Sequence, residues 1–324
     1  MIIKSLTETI GNTPLLHLGE SSTGANTYLK LEMFNPTGSM KDRMAYNMIE
    51  TLQSDMSGFD GPPKIVESSS GNTASALSML CAARGWEFTA IMDGHASKDK
   101  VRAVRALGGK VEFVGDGTGS LSTADRDALA REIAESSEDT FWTAQHDNPA
   151  NGAGYAGLCD ELVCDLGDDI YAFVAAIGTG GSLCGTAEAL KEINPSTIVI
   201  GVEPEGSVIF GGPAHEYHQS GTGTPQGADV GLVINYDVID EGRKVSDRDA
   251  FTTCHFLARK FGLLVGGSTG GAVFEAMRIA DTAPAQANIV TLACDNGSKY
   301  LDTIFSNEWL SRKGLCLGDV SKVS

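Results

Sequence analysis

The sequence lacks most of the features that would assign it at a glance. No stretch approaches the roughly 18 consecutive apolar residues of a membrane-spanning helix, so no membrane partner is expected. The opening Met-Ile-Ile-Lys-Ser-Leu-Thr-Glu has no basic stretch leading into an apolar run and a small-residue cleavage site, so no signal peptide is expected either. The seven cysteines (Cys81, Cys159, Cys164, Cys184, Cys254, Cys294 and Cys316) form no Cys-x-x-Cys pair and have no histidine at zinc-finger spacing. An odd count without a framework predicts free thiols in a reducing cytoplasm and no structural metal. Basic residues are also scarce. With 24 Lys+Arg against 42 Asp+Glu, the net charge is −18. That balance argues against nucleic acid as a partner, because affinity for a phosphate backbone comes largely from Lys and Arg.

The length and pattern are more informative. A chain of 324 residues with 42% hydrophobic content fits two α/β domains or one large one. From about residue 64, short β-branched runs alternate with helical patterns. Strands are expected over 64–67, 87–92, 110–114, 140–143, 172–177, 197–203 and 289–293. Helices are expected after Asn72, over 98–107 with Ser97 as cap, over 123–135, near 154–166, after Gly181, and after Ser246 and Ser268 as caps. Strict alternation predicts parallel sheets with helices on both faces, and ligands beyond the carboxyl ends of the strands. The Gly- and Pro-containing stretch 205–240 is long enough to be functional.

Three segments carry chemistry. Asn35-Pro36-Thr37-Gly38-Ser39 is a turn, and the helix beyond it places Lys41 in or near its first turn. The helix dipole disfavours a cation there, which would make the amine less basic and a better Schiff-base nucleophile. A solvated loop lysine is the plainer alternative. Gly178-Thr179-Gly180-Gly181-Ser182 joins an apolar strand to a helix, where backbone N–H groups can cradle an anion. It also approaches a dinucleotide fingerprint, with Glu203 ending the next strand where a ribose-binding acid would stand, although the third glycine is missing. Ser69-Ser70-Gly71-Asn72-Thr73 could bind a carboxylate through hydroxyls and free N–H groups, or be a capping cluster.

The three segments together are what a pyridoxal-phosphate enzyme needs for an amino-acid substrate. Asn-Pro-Thr-Gly-Ser-Met-Lys-Asp-Arg, Ser-Ser-Gly-Asn-Thr and Gly-Thr-Gly-Gly-Ser, in this order, resemble the cysteine synthase family, of the tryptophan-synthase-β fold type. The resemblance runs from Ile10-Gly11-Asn12-Thr13-Pro14-Leu15 through Asn148-Pro149-Ala150-Asn151 to Gly297-Ser298-Lys299-Tyr300-Leu301. It implies pyridoxal 5'-phosphate as cofactor, with Lys41 as its Schiff-base lysine and Gly178 to Ser182 as its phosphate loop. Asn72 would contact the cofactor's 3′-oxygen. Ser69, Ser70, Thr73 and Gln145 would grip the substrate carboxylate, and Gly227 and Ser268 would lie near the cofactor. The implied architecture is two parallel-sheet α/β domains with the cofactor in the cleft between them. The smaller would hold 45–146 with a mobile segment near 90–130, and the larger 1–44 plus 147–324. The implied assembly is a homodimer.

The chain departs from the family in two places. Asn296 takes the position where the family usually sets a Ser or Thr hydroxyl against the pyridine nitrogen, with Asp295 as an alternative contact. Asp229 stands where cysteine synthases commonly have Gly, so it could repel hydrosulfide, attract an amine, act as a base on water, or point to solvent. The implied reaction is β-replacement on an O-activated serine through an aminoacrylate, with sulfide as nucleophile. A diaminopropionate-type synthase with an amine, and a cysteine or serine lyase with water, are the alternatives on this fold. A nicotinamide-dependent oxidoreductase is the alternative from another class.

Overall fold

The computed structural model describes residues 2–56, 61–94, 96–115 and 123–320. In chain order the regular elements begin with β1 (Leu15–Glu20), β2 (Asn26–Lys30), α1 (Lys41–Asp55), β3 (Lys64–Ser68), α2 (Asn72–Arg84), β4 (Glu87–Met92), α3 (Lys98–Ala106) and β5 (Lys110–Phe113). They continue with α4 (Thr123–Glu135), β6 (Thr140–Trp142), α5 (Pro149–Ala153), α6 (Ala156–Leu166), β7 (Ala172–Ala176) and α7 (Gly181–Ile193). The last are β8 (Ile198–Pro204), β9 (Glu241–Val245), α8 (Asp247–Phe261), α9 (Gly267–Ala280), β10 (Asn288–Leu292) and α10 (Asn307–Arg312). The chain divides into two compact units, 1–10 with 41–154, and 11–40 with 155–324.

The first unit is built on a parallel sheet in the order β5-β4-β3-β6. Leu77, Leu80 and Cys81 of α2 and Ala45 and Ile49 of α1 bury their apolar stripes with Ile65 and Phe88 of the sheet. Val66 and Ile91 point the other way, into a cluster with Ala130 of α4. This alternation lets β3 carry helices on both faces. Within the segment 90–130 expected to move, residues 95 and 116–122 lie outside the described residues.

The second unit holds a six-stranded sheet in the order β1-β2-β10-β7-β8-β9. All residues of β7 are buried, as befits a central strand covered on both faces. Glycine allows α8 and α9 to approach closely: a Cβ on Gly270 would lie 2.1 Å from the Ala250 carbonyl oxygen.

Three expectations are corrected. The alternation expected from residue 64 is not strict, because β8 and β9 pair in parallel with no α-helix between them, and ahead of that range β1 and β2 form an antiparallel hairpin. Short polar connections such as Ser21-Ser22-Thr23-Gly24 allow the chain to reverse without a helix. The edge strand β9, rich in charge, also escaped the apolar pattern. Ser268 is not a helix cap, since α9 begins one residue earlier with Gly266 as its N-cap. Ser97 and Ser246 do cap α3 and α8, accepting from Lys100 N–H and Asp249 N–H.

Candidate active site

Helix starts divide by chemistry. Ser97, Asn148, Ser246 and Ser306 cap α3, α5, α8 and α10 with side-chain oxygens. In contrast α2, α7 and α9 begin at Gly71, Gly180 and Gly266, and none has a side-chain cap. The first N–H groups of a helix have no intrahelical acceptor. At these three starts the N-cap glycine has no side chain to accept from the first N–H groups. They are the three loops Ser-Ser-Gly-Asn-Thr, Gly-Thr-Gly-Gly-Ser and Gly-Gly-Ser-Thr-Gly, and in the first the N-cap is Gly71 rather than a serine.

In the first unit, Lys41 is the first residue of α1, half-buried, with Asp42 beside it fully buried. Its positive charge reaches His146, whose pKa is lowered chiefly by burial, against the opposing pull of Asp127. Asn72 and Thr73 open α2. The Thr73 hydroxyl donates to Gln145 Oε1 at 2.7 Å, and Gln145 Nε2 donates to the Ser68 carbonyl at 3.3 Å. Asn151 Nδ2 donates to the Gln145 carbonyl at 2.7 Å. Ala144, just before Gln145, sits at φ 45°, where a side chain is unfavourable. Such a conformation persists only where the surroundings over-determine it. Here Asp147 N–H and Asn148 N–H both donate to the Ala144 carbonyl.

Ser69 and Ser70 differ from one another. The Ser69 hydroxyl accepts from Gly71 N–H at 3.2 Å and stays within the turn. The Ser70 hydroxyl accepts from Asp93 N–H and from Arg126 Nη1, each at 3.2 Å. Arg126 and Asp93 form an ion pair behind it. Sequence reasoning missed Asp93 and Arg126, and Asp93 was visible only as an acid ending an apolar strand. It also missed Glu67, an acid inside the strand run Lys-Ile-Val-Glu-Ser.

In the second unit, Gly180 has φ 91°, and a Cβ there would lie 2.5 Å from Ile234 Cγ1. A Cβ on Gly178 would come 3.1 Å from the Gly221 carbonyl oxygen. Behind this turn, Gly223 N–H and the Thr222 hydroxyl both donate to the Ile177 carbonyl at 2.7 Å. Thr179, Gly181 and Ser182 are buried. Glycines at the turn and the backbone N–H groups at the start of α7 fit a phosphate monoester. Ser268 is buried in the first turn of α9. Asn296 is half-buried, and its side-chain oxygen accepts from Ser298 N–H at 2.9 Å, leaving only the amide NH2 to offer a ligand. Asp295 is buried and accepts from the Tyr300 hydroxyl at 2.7 Å. That contact and burial hold the Tyr300 phenol well above its usual pKa. Gly227 has φ 85° and, like Asp229, is exposed.

Glu203 removes the dinucleotide alternative. Fully buried, it accepts from Ile209 N–H at 3.0 Å, Phe210 N–H at 3.1 Å and Lys244 Nζ at 2.5 Å. Both oxygens are engaged by the protein and the carboxylate is fully buried, so it is not presented to a ribose.

Comparison with known proteins agrees with this chemistry. The family described as "Pyridoxal-phosphate dependent enzyme" matches residues 6–295. A putative cysteine synthase of Sinorhizobium fredii is 45% identical over 322 residues, 97% of this chain and 94% of the relative. The chain belongs to the cysteine synthase family of pyridoxal-phosphate-dependent enzymes. The enzyme is also 34% identical to an N-(2-amino-2-carboxyethyl)-L-glutamate synthase of Cupriavidus metallidurans, over 96% of this chain and 92% of that one. Among solved structures it resembles the O-acetylserine-dependent cystathionine beta-synthase of Helicobacter pylori, with a TM-score of 0.83 and 32% identity. That match covers 94% of this chain and 98% of the other. The cofactor is pyridoxal phosphate, and the fold is the tryptophan-synthase-β-like α/β type.

Proposed function

We propose that the enzyme performs β-replacement on an O-activated serine, O-acetylserine or O-phosphoserine, with sulfide as the second substrate. The observation that carries this reading is the Thr73–Gln145 pair at the open start of α2, in the same unit as Lys41. Hydroxyl, amide and backbone N–H groups suit an amino-acid carboxylate. Bound through Lys41, pyridoxal phosphate supplies an electron sink that acidifies Cα–H and lets a Cβ substituent leave. Once the substrate's amino group has displaced it, the freed Lys41 amine would take the proton from Cα and later return it there. Gly178, Thr179, Gly180, Gly181 and Ser182 hold the phosphate, and Asn72 holds the 3′-oxygen. The NH2 group of Asn296 donates to the ring nitrogen and leaves it unprotonated, with Ser268 close to the ring. Ser69, Ser70, Thr73 and Gln145 hold the substrate carboxylate, and Gly227 lies on the loop facing the substrate side chain.

Asp229 favours a second reading. An exposed carboxylate on that loop attracts an amine and repels hydrosulfide, and the Cupriavidus relative's name points to an amino nucleophile. Free cysteines throughout the chain support a reducing cytoplasm, and a homodimer is the assembly expected of the family.

Borohydride reduction followed by peptide mass analysis tests the first step, and the expected label is on Lys41. O-acetylserine or O-phosphoserine is then supplied with sulfide, an amine or water. Absence of a labelled Lys41, or of any β-substituted product, would overturn the reading. If Asp229→Gly leaves the preference among nucleophiles unchanged, Asp229 has no part in it.

A further inference from the structure

Glu67 is buried in β3 to 1% exposure, in the strand that runs directly into the carboxylate-binding loop, and the roles assigned above leave it without one. The Thr143 hydroxyl donates to its Oε2, and both the backbone N–H and the side chain of Gln145 interact with the same carboxyl. Gln145 in turn is held by Thr73, by the Ser68 carbonyl and by Asn151. We propose that Glu67 is a positioning residue of the substrate-binding turn, holding Thr143 and Gln145 so that the Gln145 amide is presented to the substrate carboxylate. This rests on the reading of Gln145 as a carboxylate ligand.

The groups around Glu67 define how its charge matters. Asp127 of α4 adds a negative field. Across the sheet Ala90 of β4 is neutral, Thr73 of α2 and Thr143 beyond β6 are hydroxyls, and His146 follows Gln145. The His146 ring lies in the fields of Asp127, Lys41, Asp147 and Arg126. Burial, reinforced by Asp127 and opposed by Thr143 and Gln145, pushes the Glu67 pKa up to about 8. Below that pH the carboxyl is neutral and can donate its own proton, leaving the Gln145 NH2 available. Above it both oxygens only accept. They draw the Gln145 NH2 toward themselves and set a buried negative charge near an anionic ligand.

The test uses holoenzyme titrated with L-serine, which carries the carboxylate without an activated leaving group, and reads Kd from the absorbance of the bound cofactor. Titrations run from about pH 6 to about pH 9.5, spanning the Glu67 transition. The expected ratio of wild-type to Glu67→Gln Kd is constant below about pH 8 and climbs toward about tenfold per pH unit above it. Thr143→Val, which removes a donor that favours the carboxylate, moves the wild-type inflection to higher pH. Parallel pH profiles for wild type and Glu67→Gln, or an inflection unmoved in Thr143→Val, overturn the inference while leaving the proposed function standing. No cofactor response to L-serine in wild type overturns both.

Discussion

The Thr73 hydroxyl and the Gln145 side-chain oxygen are 2.7 Å apart although 72 residues separate them in the chain. The contact joins the open start of α2 to the turn that leaves β6, and it orients both groups before any ligand arrives. Thr73→Val keeps the shape and removes the donor, so Gln145 loses its anchor. A hydrogen bond of this kind contributes about 1 kcal/mol, and more when a charged ligand depends on it. The expected result is a Michaelis constant for the amino-acid substrate raised about tenfold, with the cofactor spectrum unchanged and Thr73→Ser close to wild type. Steady-state kinetics beside the absorbance spectrum check it.

Gly180 is constrained twice, by φ 91° and by Ile234 pressing where a Cβ would go. Gly180→Ala must distort the turn at the start of α7, moving the N–H groups that fit a phosphate. Strain of this kind costs on the order of 1–3 kcal/mol. Cofactor affinity is expected to fall by about tenfold or more, read by equilibrium dialysis, together with a lowered Tm of the apoprotein. An Ala variant at exposed Gly157 of α6, where a Cβ meets open space, serves as the control: cofactor affinity is unchanged and the Tm does not fall.

Glu203 accepts three donors inside the protein and ties residues 209–210 to β8. Glu203→Ala leaves the Ile209 and Phe210 N–H groups without their acceptor and the Lys244 ammonium with the Ser207 carbonyl but no counter-charge. Removing one member of such a buried set costs about 3–5 kcal/mol. Chemical denaturation is expected to register that loss, while NADH fluorescence is unaffected in wild type and variant alike. A tight NADH complex abolished by Glu203→Ala would restore the oxidoreductase alternative.

These cases show which parts of the molecule were legible in the sequence. The parallel core was readable because β7 is a continuous apolar run, β10 is rich in β-branched residues and helical patterns lie between the strands. The β1–β2 hairpin was not, since its residues alternate only weakly, and nor was β9, whose partner β8 lies across the long stretch 205–240. The motif loops announced themselves through glycine at strand-to-helix turns. What stood behind them did not: Asp93, Arg126 and Glu67 reach Ser70, Thr143 and Gln145 only through the sheet, a relation that local spacing does not encode. The acid Glu203 was misread as available because sequence gives its position at a strand end and not the donors that occupy it.

Glu67 also links stability to pH. Its pKa is about 8 in the folded protein against 4.5 for an exposed glutamate. Below about pH 4.5 both states hold the proton and the group has no effect. Between 4.5 and 8 the folded state keeps a proton that the unfolded state releases, so the slope of unfolding free energy against pH is negative and stability falls as pH rises. Above about pH 8 the loss is complete and constant, on the order of a few kcal/mol for a shift of this size. Glu67→Gln binds no proton in either state and escapes this dependence. The difference in Tm, variant minus wild type, is therefore expected to grow in the variant's favour from pH 5 to pH 8 and then level. Differential scanning fluorimetry at about one-unit pH steps measures it, and a difference that stays flat or shrinks across that window would show that the buried carboxyl is already ionised near neutrality.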